Sequence, residues 1–245
     1  MPSSSDRLID LNADVGEGPG EEPLYALITS ENIACGGHTG NEDTMREAVR
    51  LALRHGVAIG AHPSYPDRER FGRVTMNLPP LTLSRAIAAQ VAALVSTAEA
   101  EGARVTHVKP HGALYGDAGA APDIARAIAD GVGSVSHALV LVGLAGSPAL
   151  RVWSELGFPV AAEGFADRAY AADQTLVPRT EASALITDPE AAARQAVRLA
   201  DDGVCATICV HADTQGAAAI AAAVRGGLEE AGFVLSALAR RGRGT

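Results

Sequence analysis

Along the chain, short runs of β-branched and other apolar residues alternate with longer alanine-rich stretches whose apolar positions recur at helical spacing. The short runs predict strands over 8–12, 32–35, 57–61, 105–108, 138–142, 160–163 and 205–210. The longer stretches predict helices near 43–55, 82–101, 121–130, 147–156, 189–201 and 214–231. Punctuation agrees: Thr82 and the Asp188-Pro189 pair stand where helices begin, and Gly56, Gly102, Gly203 and Gly232 stand where left-handed C-terminal caps fall. Such alternation is the pattern of parallel βα units. With 245 residues, no repeat and no linker, the expectation is one α/β domain spanning 1–245, built as a (β/α) barrel. Two longer loops, 62–81 and 164–188, carry aromatic and charged residues, a common mark of function in such folds.

Composition mostly excludes. Hydrophobic residues make up 47% of the chain, enough for a sizeable core. A formal charge of −9 with no basic stripe in the interior argues against nucleic acid or an anionic membrane as partner, and the arginine-rich stretch 240–243 reads as a frayed tail. No apolar run approaches the roughly 20 residues of a membrane span. The polar start, residues 1–6, does not read as a signal peptide, so the expected compartment is the cytoplasm. Cys35, Cys205 and Cys209 form neither a disulfide framework nor a paired metal spacing; Cys205 and Cys209, an even distance apart in a predicted strand, read as buried small hydrophobes on one face. One count changes the picture: the chain has 19 arginines and a single lysine, Lys109. Where arginine supplies every other cation, position 109 points to a need for a compact ammonium whose pKa responds to burial.

Lys109 has company. Six of the seven predicted strands end in residues capable of chemistry: Asn12 and Asp14, His38, His62, Lys109 and His111, Glu163, and His211 with Asp213; the fifth, ending in Leu141-Val142-Gly143, does not. In a parallel barrel these carboxyl-terminal ends gather on one rim, so residues two hundred positions apart are expected in one pocket. Loop polarity alone predicts serine, asparagine and glycine at such places rather than imidazoles. His38, His62, His107, His111 and His211 lie at or beside strand ends, whereas His55 and His137 do not.

Single constellations leave alternatives open. Asp14, on one strand face with Asn12 and followed by the Gly16 turn and Glu17, suits a metal ligand, a base or a simple cap. Cys35 suits an inert buried thiol better than a nucleophile. Asp14, His38 and His62 would together give the carboxylate and two imidazoles of an open divalent-metal site, or a metal-free hydrogen-bonded cluster. Arg168, presented with Asp167 after the Gly164 hinge, suits a bidentate clamp on a substrate carboxylate or an ordinary loop ion pair.

Seven segments, in this order, carry a resemblance: 10–17 (DLNADVGE), 32–38 (NIACGGH), 59–67 (IGAHPSYPD), 71–73 (FGR), 108–115 (VKPHGALY), 164–170 (GFADRAY) and 210–214 (VHADT). Together they resemble the 5-oxoprolinase A-subunit family, also called the LamB/YcsF lactam-utilisation family, from near residue 8 to near 230. The resemblance implies a distorted seven-stranded (β/α) barrel of the glycoside hydrolase/deacetylase type. It also implies a role in ATP-dependent opening of 5-oxo-L-proline to L-glutamate, together with two further subunits. Three positions depart from the family pattern. Gly37 stands where an aromatic is usual, Asn41 where Asp is usual and Ala212 where Gly is usual, which touches pocket volume and one carboxylate.

A five-membered lactam is a stable amide, so its hydrolysis needs carbonyl activation as well as water, and ATP can supply it by phosphorylating the lactam oxygen. The chain has neither a phosphate-binding Gly-x-x-x-x-Gly-Lys-[Ser/Thr] loop nor a kinase-like glycine loop, which assigns ATP and phosphoryl transfer largely to the partner subunits. The expected catalytic set is Asp14, Lys109, His111 and His211, with Lys109 stabilising developing negative charge and Asp14 or a histidine activating water. The expected substrate-binding set is Asn12, Glu17, Glu163, Asp167, Arg168 and Asp213. Asp14, His38 and His62 are the candidate metal ligands, and a homo-oligomer is compatible with the alanine-rich helices. Two rivals stand beside this reading: a stand-alone metal-dependent deacetylase or amidohydrolase, and a non-catalytic subunit that binds a small acid.

Overall fold

The computed structural model describes residues 7–238, so the polar start 1–6 and the arginine-rich stretch 240–243 lie outside the described residues. Seven strands run parallel: β1 (Leu8–Val15), β2 (Ser30–Ala34), β3 (Ala58–His62), β4 (Val105–Val108), β5 (Val140–Leu144), β6 (Val160–Phe165) and β7 (Thr207–His211). They pair in chain order, and β1 lies between β7 and β2, which closes the barrel. A two-residue strand, β8 (Val234–Leu235), adds to the start of β1 outside the ring.

Helices α1 (Glu42–His55), α2 (Pro80–Ala100), α3 (Gly112–Ala120), α4 (Pro122–Gly133), α5 (Pro148–Glu155), α6 (Pro189–Asp201) and α7 (Ala217–Glu230) surround the strands. The predicted caps hold: Gly56, Gly102, Gly203 and Gly232 are left-handed, and the Asp188 carboxylate accepts a hydrogen bond from the Ala191 amide. Thr82 is a correction, because the proline pair before it starts α2 two residues earlier. Helix α3 is an addition. Its three glycines hide its periodicity, and it holds through buried Leu114 and Ala118 and through Asp117, which accepts from the Tyr65 hydroxyl. Helix α2 also revises the expectation about apolar runs, since it is long and apolar enough to cross a membrane by length and composition alone. Here it packs against α4, and its Gln90 side chain bonds the backbone of Ser64.

The strand alternation explains the placement of chemistry. On β1 the odd positions Ile9, Leu11, Ala13 and Val15 join the apolar core, while the even positions Asp10, Asn12 and Asp14 are buried and polar. Asp10 accepts from the hydroxyls of Thr29, Ser30 and Thr207, and one layer up Asn12 donates to Thr207 and Asn32 donates to Asn12. His107 Nε2 is 3.1 Å from Asn32 Oδ1, and Gly60 makes room for that ring: a Cβ there would lie 2.1 Å from His107 Nε2. The barrel is thus filled by a hydrogen-bonded polar stack rather than by branched aliphatics. Cys209 belongs to it. Cys205 does not, because β7 begins at Thr207 and Cys205 packs outside against Gly164, so the two thiols do not share a strand face.

Candidate active site at the barrel rim

The stack ends in a cavity of about 590 Å³ at the carboxyl-terminal rim, lined among others by Asp14, Glu17, His62, Lys109, His111 and His211. Register brings these ends together: Asp14 pairs with Asn32 on one side and His211 on the other, and Ala34 pairs with His62.

Lys109 is at the centre. Its Nζ lies 2.9 Å from Asp14 Oδ1, 3.0 Å from Glu163 Oε1 and 3.1 Å from Cys209 Sγ, and the residue is 2% exposed. Burial alone would lower its pKa, but the Asp14 and Glu163 carboxylates reverse this and hold it well above the usual lysine value. Lys109 is therefore a fixed ammonium, not an amine nucleophile. Burial would likewise raise the Asp14 pKa, and the neighbouring His62 and Lys109 outweigh it and hold Asp14 as a carboxylate. Asn32 donates to Asp14 Oδ1, which fixes its orientation.

On the β6–β7 side stands His211. Its Nδ1 is 2.8 Å from Asp167 Oδ1, and the other Asp167 oxygen accepts from the His211 amide and the Thr214 hydroxyl. The carboxylate fixes Nδ1 as the protonated nitrogen, which leaves Nε2 as the basic one on a ring that lines the cavity. Burial would raise the pKa of Asp167, and His211 more than offsets it, so the group is held below the usual carboxylate value.

On the β1–β4 side, three imidazoles gather around Glu17. Its Oε1 is 2.9 Å from His38 Nε2, 3.2 Å from His111 Nδ1 and 3.7 Å from His62 Nε2. His38 and His111 stack with ring centroids 3.6 Å apart. Burial lowers His38 to about 4 and also pushes His111 down, while Asp14 raises His62 against the effect of its own burial. Burial works to raise the Glu17 pKa, and hydrogen bonds from His111 and His38 carry it well below the usual range. Cys35 is buried and pushed up to about 12 by desolvation, the inert state expected of it.

Not every expected site residue reaches the cavity. Asn12, Glu163 and Asp167, expected against substrate, stand behind the lining. Glu163 is fully buried between Lys109, Asn12 and the Tyr115 hydroxyl, and Asp167 is committed to His211. Arg168 does line the cavity, with Nη2 2.7 Å from the carbonyl of Val177 and Nε 3.4 Å from that of Ala184, so it also ties the 164–188 loop. Asp213 is bridged at Oδ2 by Arg73 at 2.6 Å and Arg179 at 2.9 Å, which joins the two long loops across the cavity mouth. The expected grouping of His38 with Asp14 is corrected: His38 bonds Glu17, and it is His62 Nε2 that lies 3.3 Å from Asp14 Oδ2. Asn32, Tyr115 and Arg179 belong to the site or its support without having been singled out along the chain, whereas His107, noted at a strand end, supports the site from the stack through Asn32. The even-position polarity of β1 and β2 signalled Asn32, whereas Arg179, in a loop of irregular chain, carried no signal. Asn41 proves to be a helix cap, accepting from the amides of Asp43 and Thr44 at the start of α1. A Cβ on Gly37 would fall 2.2 Å from Gln90 Oε1 and 2.4 Å from Ser64 Oγ, so a larger residue there would displace both side chains.

Comparison with known proteins agrees with this architecture. The chain is 46% identical to the A-subunit of a 5-oxoprolinase from Chloroflexus aggregans, over 93% of this chain and 97% of that one. Its fold matches the crystal structure of a lactam utilization protein from Thermus thermophilus with a TM-score of 0.87 at 40% identity, covering 94% of this chain and 99% of the other. A putative cellobiose-phosphate cleavage protein from Enterococcus faecalis shares the fold alone, with a TM-score of 0.57 at 12% identity over 94% of this chain and 97% of that one. The LamB/YcsF family model matches residues 9–242, and with the shared barrel and rim this places the chain in the LamB/YcsF family.

Proposed function

We propose that this chain is the ring-opening subunit of an ATP-dependent 5-oxoprolinase, converting an activated 5-oxo-L-proline to L-glutamate in the cytoplasm with ATP handled by two partner subunits. The observation that carries the reading is the buried Lys109 ammonium facing the cavity beside Asp14, with His211 held by Asp167 in the same lining. A stable amide needs a charge stabiliser and a base, and the site offers both. His211 Nε2 takes a proton from water as it adds to the activated ring carbon, and Lys109 stabilises the negative charge that develops. The carbon–nitrogen bond then breaks, the nitrogen gains a proton to become the α-amino group, and a second water releases phosphate from the acyl phosphate. Arg73, Arg168 and Arg179 in the lining suit the anionic substituents of such a substrate.

The test is ATP-dependent glutamate release from the chain reconstituted with its partner subunits. Lys109→Ala, shown to be folded by circular dichroism, is expected to abolish it, and near-normal turnover would overturn the assignment. A second reading, an amidohydrolase working alone with a divalent metal, has the Glu17 cluster of imidazoles in its favour. Lactam hydrolysis without ATP or partners would select it. Lactam binding by the chain, with every rim variant still supporting turnover, would instead make it a binding subunit.

A further inference from the structure

Charge is spread unevenly along the rim cavity. At its inner end Lys109, Asp14 and His211 are buried, the Lys109 ammonium is matched by the Asp14 and Glu163 carboxylates, and Glu17 is engaged by His38 and His111. At its mouth three guanidinium groups, Arg73, Arg168 and Arg179, line the wall with a single carboxylate, Asp213. Three positive charges thus meet one negative charge, in a chain whose formal charge is −9. Arg168 registers the imbalance: burial first and the Arg179 charge second hold its pKa below the usual arginine value.

Asp213 is an imperfect partner for these arginines. Arg73 and Arg179 both donate to its Oδ2, at 2.6 and 2.9 Å, one hydrogen bond from each. A guanidinium carries five donors in a fork shaped for two parallel bonds to two oxygens, and neither arginine makes that pair here. The side chains of Arg73, Asp213 and Arg179 are 44%, 35% and 29% exposed, and ion pairs so open to solvent hold weakly. Asp213 therefore yields readily to a better anion. A tetrahedral group with three free oxygens and two negative charges meets the excess charge and offers each fork a pair of oxygens. We propose that Arg73, Arg168 and Arg179 form a subsite for a phosphoryl dianion at the cavity mouth, and that Asp213 is the placeholder which the phosphoryl group displaces. The subsite stands on the guanidinium geometry, whereas the identity of its ligand as a phosphorylated lactam rests on the ring-opening reading. In that ligand the ring points inward to Lys109 and His211, and the phosphoryl group stays at the opening. Arg73 belongs to the 62–81 loop, Arg179 to the 164–188 loop and Asp213 to the turn after β7, so the exchange replaces a contact among three loops by one made through the ligand.

The experiment is a titration of the full chain with inorganic phosphate, followed through the arginine Nε–Hε resonances in proton–nitrogen spectra, with acetate and a non-hydrolysable ATP analogue as comparison ligands. The resonances of Arg73, Arg168 and Arg179 are expected to move together to saturation, while that of Arg151, on the exposed side of α5, stays in place. Phosphate should bind roughly tenfold more tightly than acetate. Arg179→Gln should weaken phosphate binding about fivefold, whereas Asp213→Asn should tighten it about threefold, because the placeholder is gone and the arginines remain. Four results would each overturn the proposal: no saturable shift at these arginines, acetate bound as tightly as phosphate, the ATP analogue bound more tightly than phosphate, or Asp213→Asn binding phosphate no better than wild type. The wild-type titrations decide even where a variant does not fold. Binding is read without ATP turnover or partner subunits, so its failure leaves the ring-opening reading standing, and failure of turnover leaves the subsite standing.

Discussion

The two sides of the rim use the same residue type in opposite ways. On the β6–β7 side one imidazole, His211, is held by one carboxylate, Asp167, which itself accepts three hydrogen bonds, so every proton has a place. On the β1–β4 side three imidazoles compete for the single oxygen Oε1 of Glu17, and one ring nitrogen, His38 Nδ1, is buried without a partner. The first arrangement is complete by itself and presents a base. The second leaves a buried ring nitrogen unsatisfied. Lys109 lies between them, its charge fixed by Asp14 on the one hand and Glu163 on the other.

The strongest way to break this contrast is at its centre. Replacing Lys109 by Ala leaves Asp14 and Glu163 buried without their cation, and unfolding by urea should show a loss of about 3–5 kcal/mol. Lys109→Arg keeps the charge, but the guanidinium is too large and flat for the space among Asp14, Glu163 and Cys209. It is expected to restore less than about a hundredth of the turnover, and full recovery would mean that charge alone matters.

His211→Ala should lower kcat of the reconstituted complex by roughly 10²–10⁴-fold. Undiminished kcat would remove His211 from the role of base. Asp167→Asn tests the support of that base through stability. The Asp167 pKa is lower in the folded chain than in the unfolded one, so its contribution is present above the unfolded value of 3.8 and is lost as pH falls through the folded value. The stability gap between wild type and Asp167→Asn should therefore be widest near neutrality and narrow below about pH 4. A gap that grows in acid would reverse the sign of the assignment.

Smaller effects test the crowded side. Gly72 has φ of +61°, and a Cβ there would lie 3.0 Å from His38 Cβ and 3.1 Å from His111 Cδ2. Gly72→Ala should cost about 1–3 kcal/mol and displace the imidazole resonances of His38 and His111 but not that of His211 in proton–nitrogen spectra. Least of all, Asn41→Asp exchanges one good helix cap for another, and stability should shift by no more than about 0.5 kcal/mol with turnover unchanged. A large gain in turnover would return a carboxylate at 41 to the site.

How far the sequence reaches depends on the range of the physics involved. Strand and helix periods are local, and all seven barrel strands were legible within a few residues, as were the glycine and Asp188 caps. Helix α3 was hidden because Gly112, Gly116 and Gly119 dilute its pattern, and β8 because two residues carry no period. The convergence of Asp14, Lys109 and His211 followed from parallel topology, which sends every strand end to one rim. The roles of Asn12, Glu163 and Asp167 did not follow, since facing inward does not say whether a residue meets the cavity or its neighbour.

By itself the chain determined which elements form, in which order, and that alternate positions of β1 would carry Asp10, Asn12 and Asp14 away from the apolar core, because these follow from spacing along a few residues. Tertiary structure alone decided that Glu17 rather than Asp14 receives His38, that Asp167 orients His211, and that Cys209 rather than Cys205 reaches Lys109. Those choices rest on barrel closure and register, which bring side chains as far apart as Asn12 and Thr207, 195 positions along the chain, into hydrogen-bond contact. No local pattern encodes a partner at that distance.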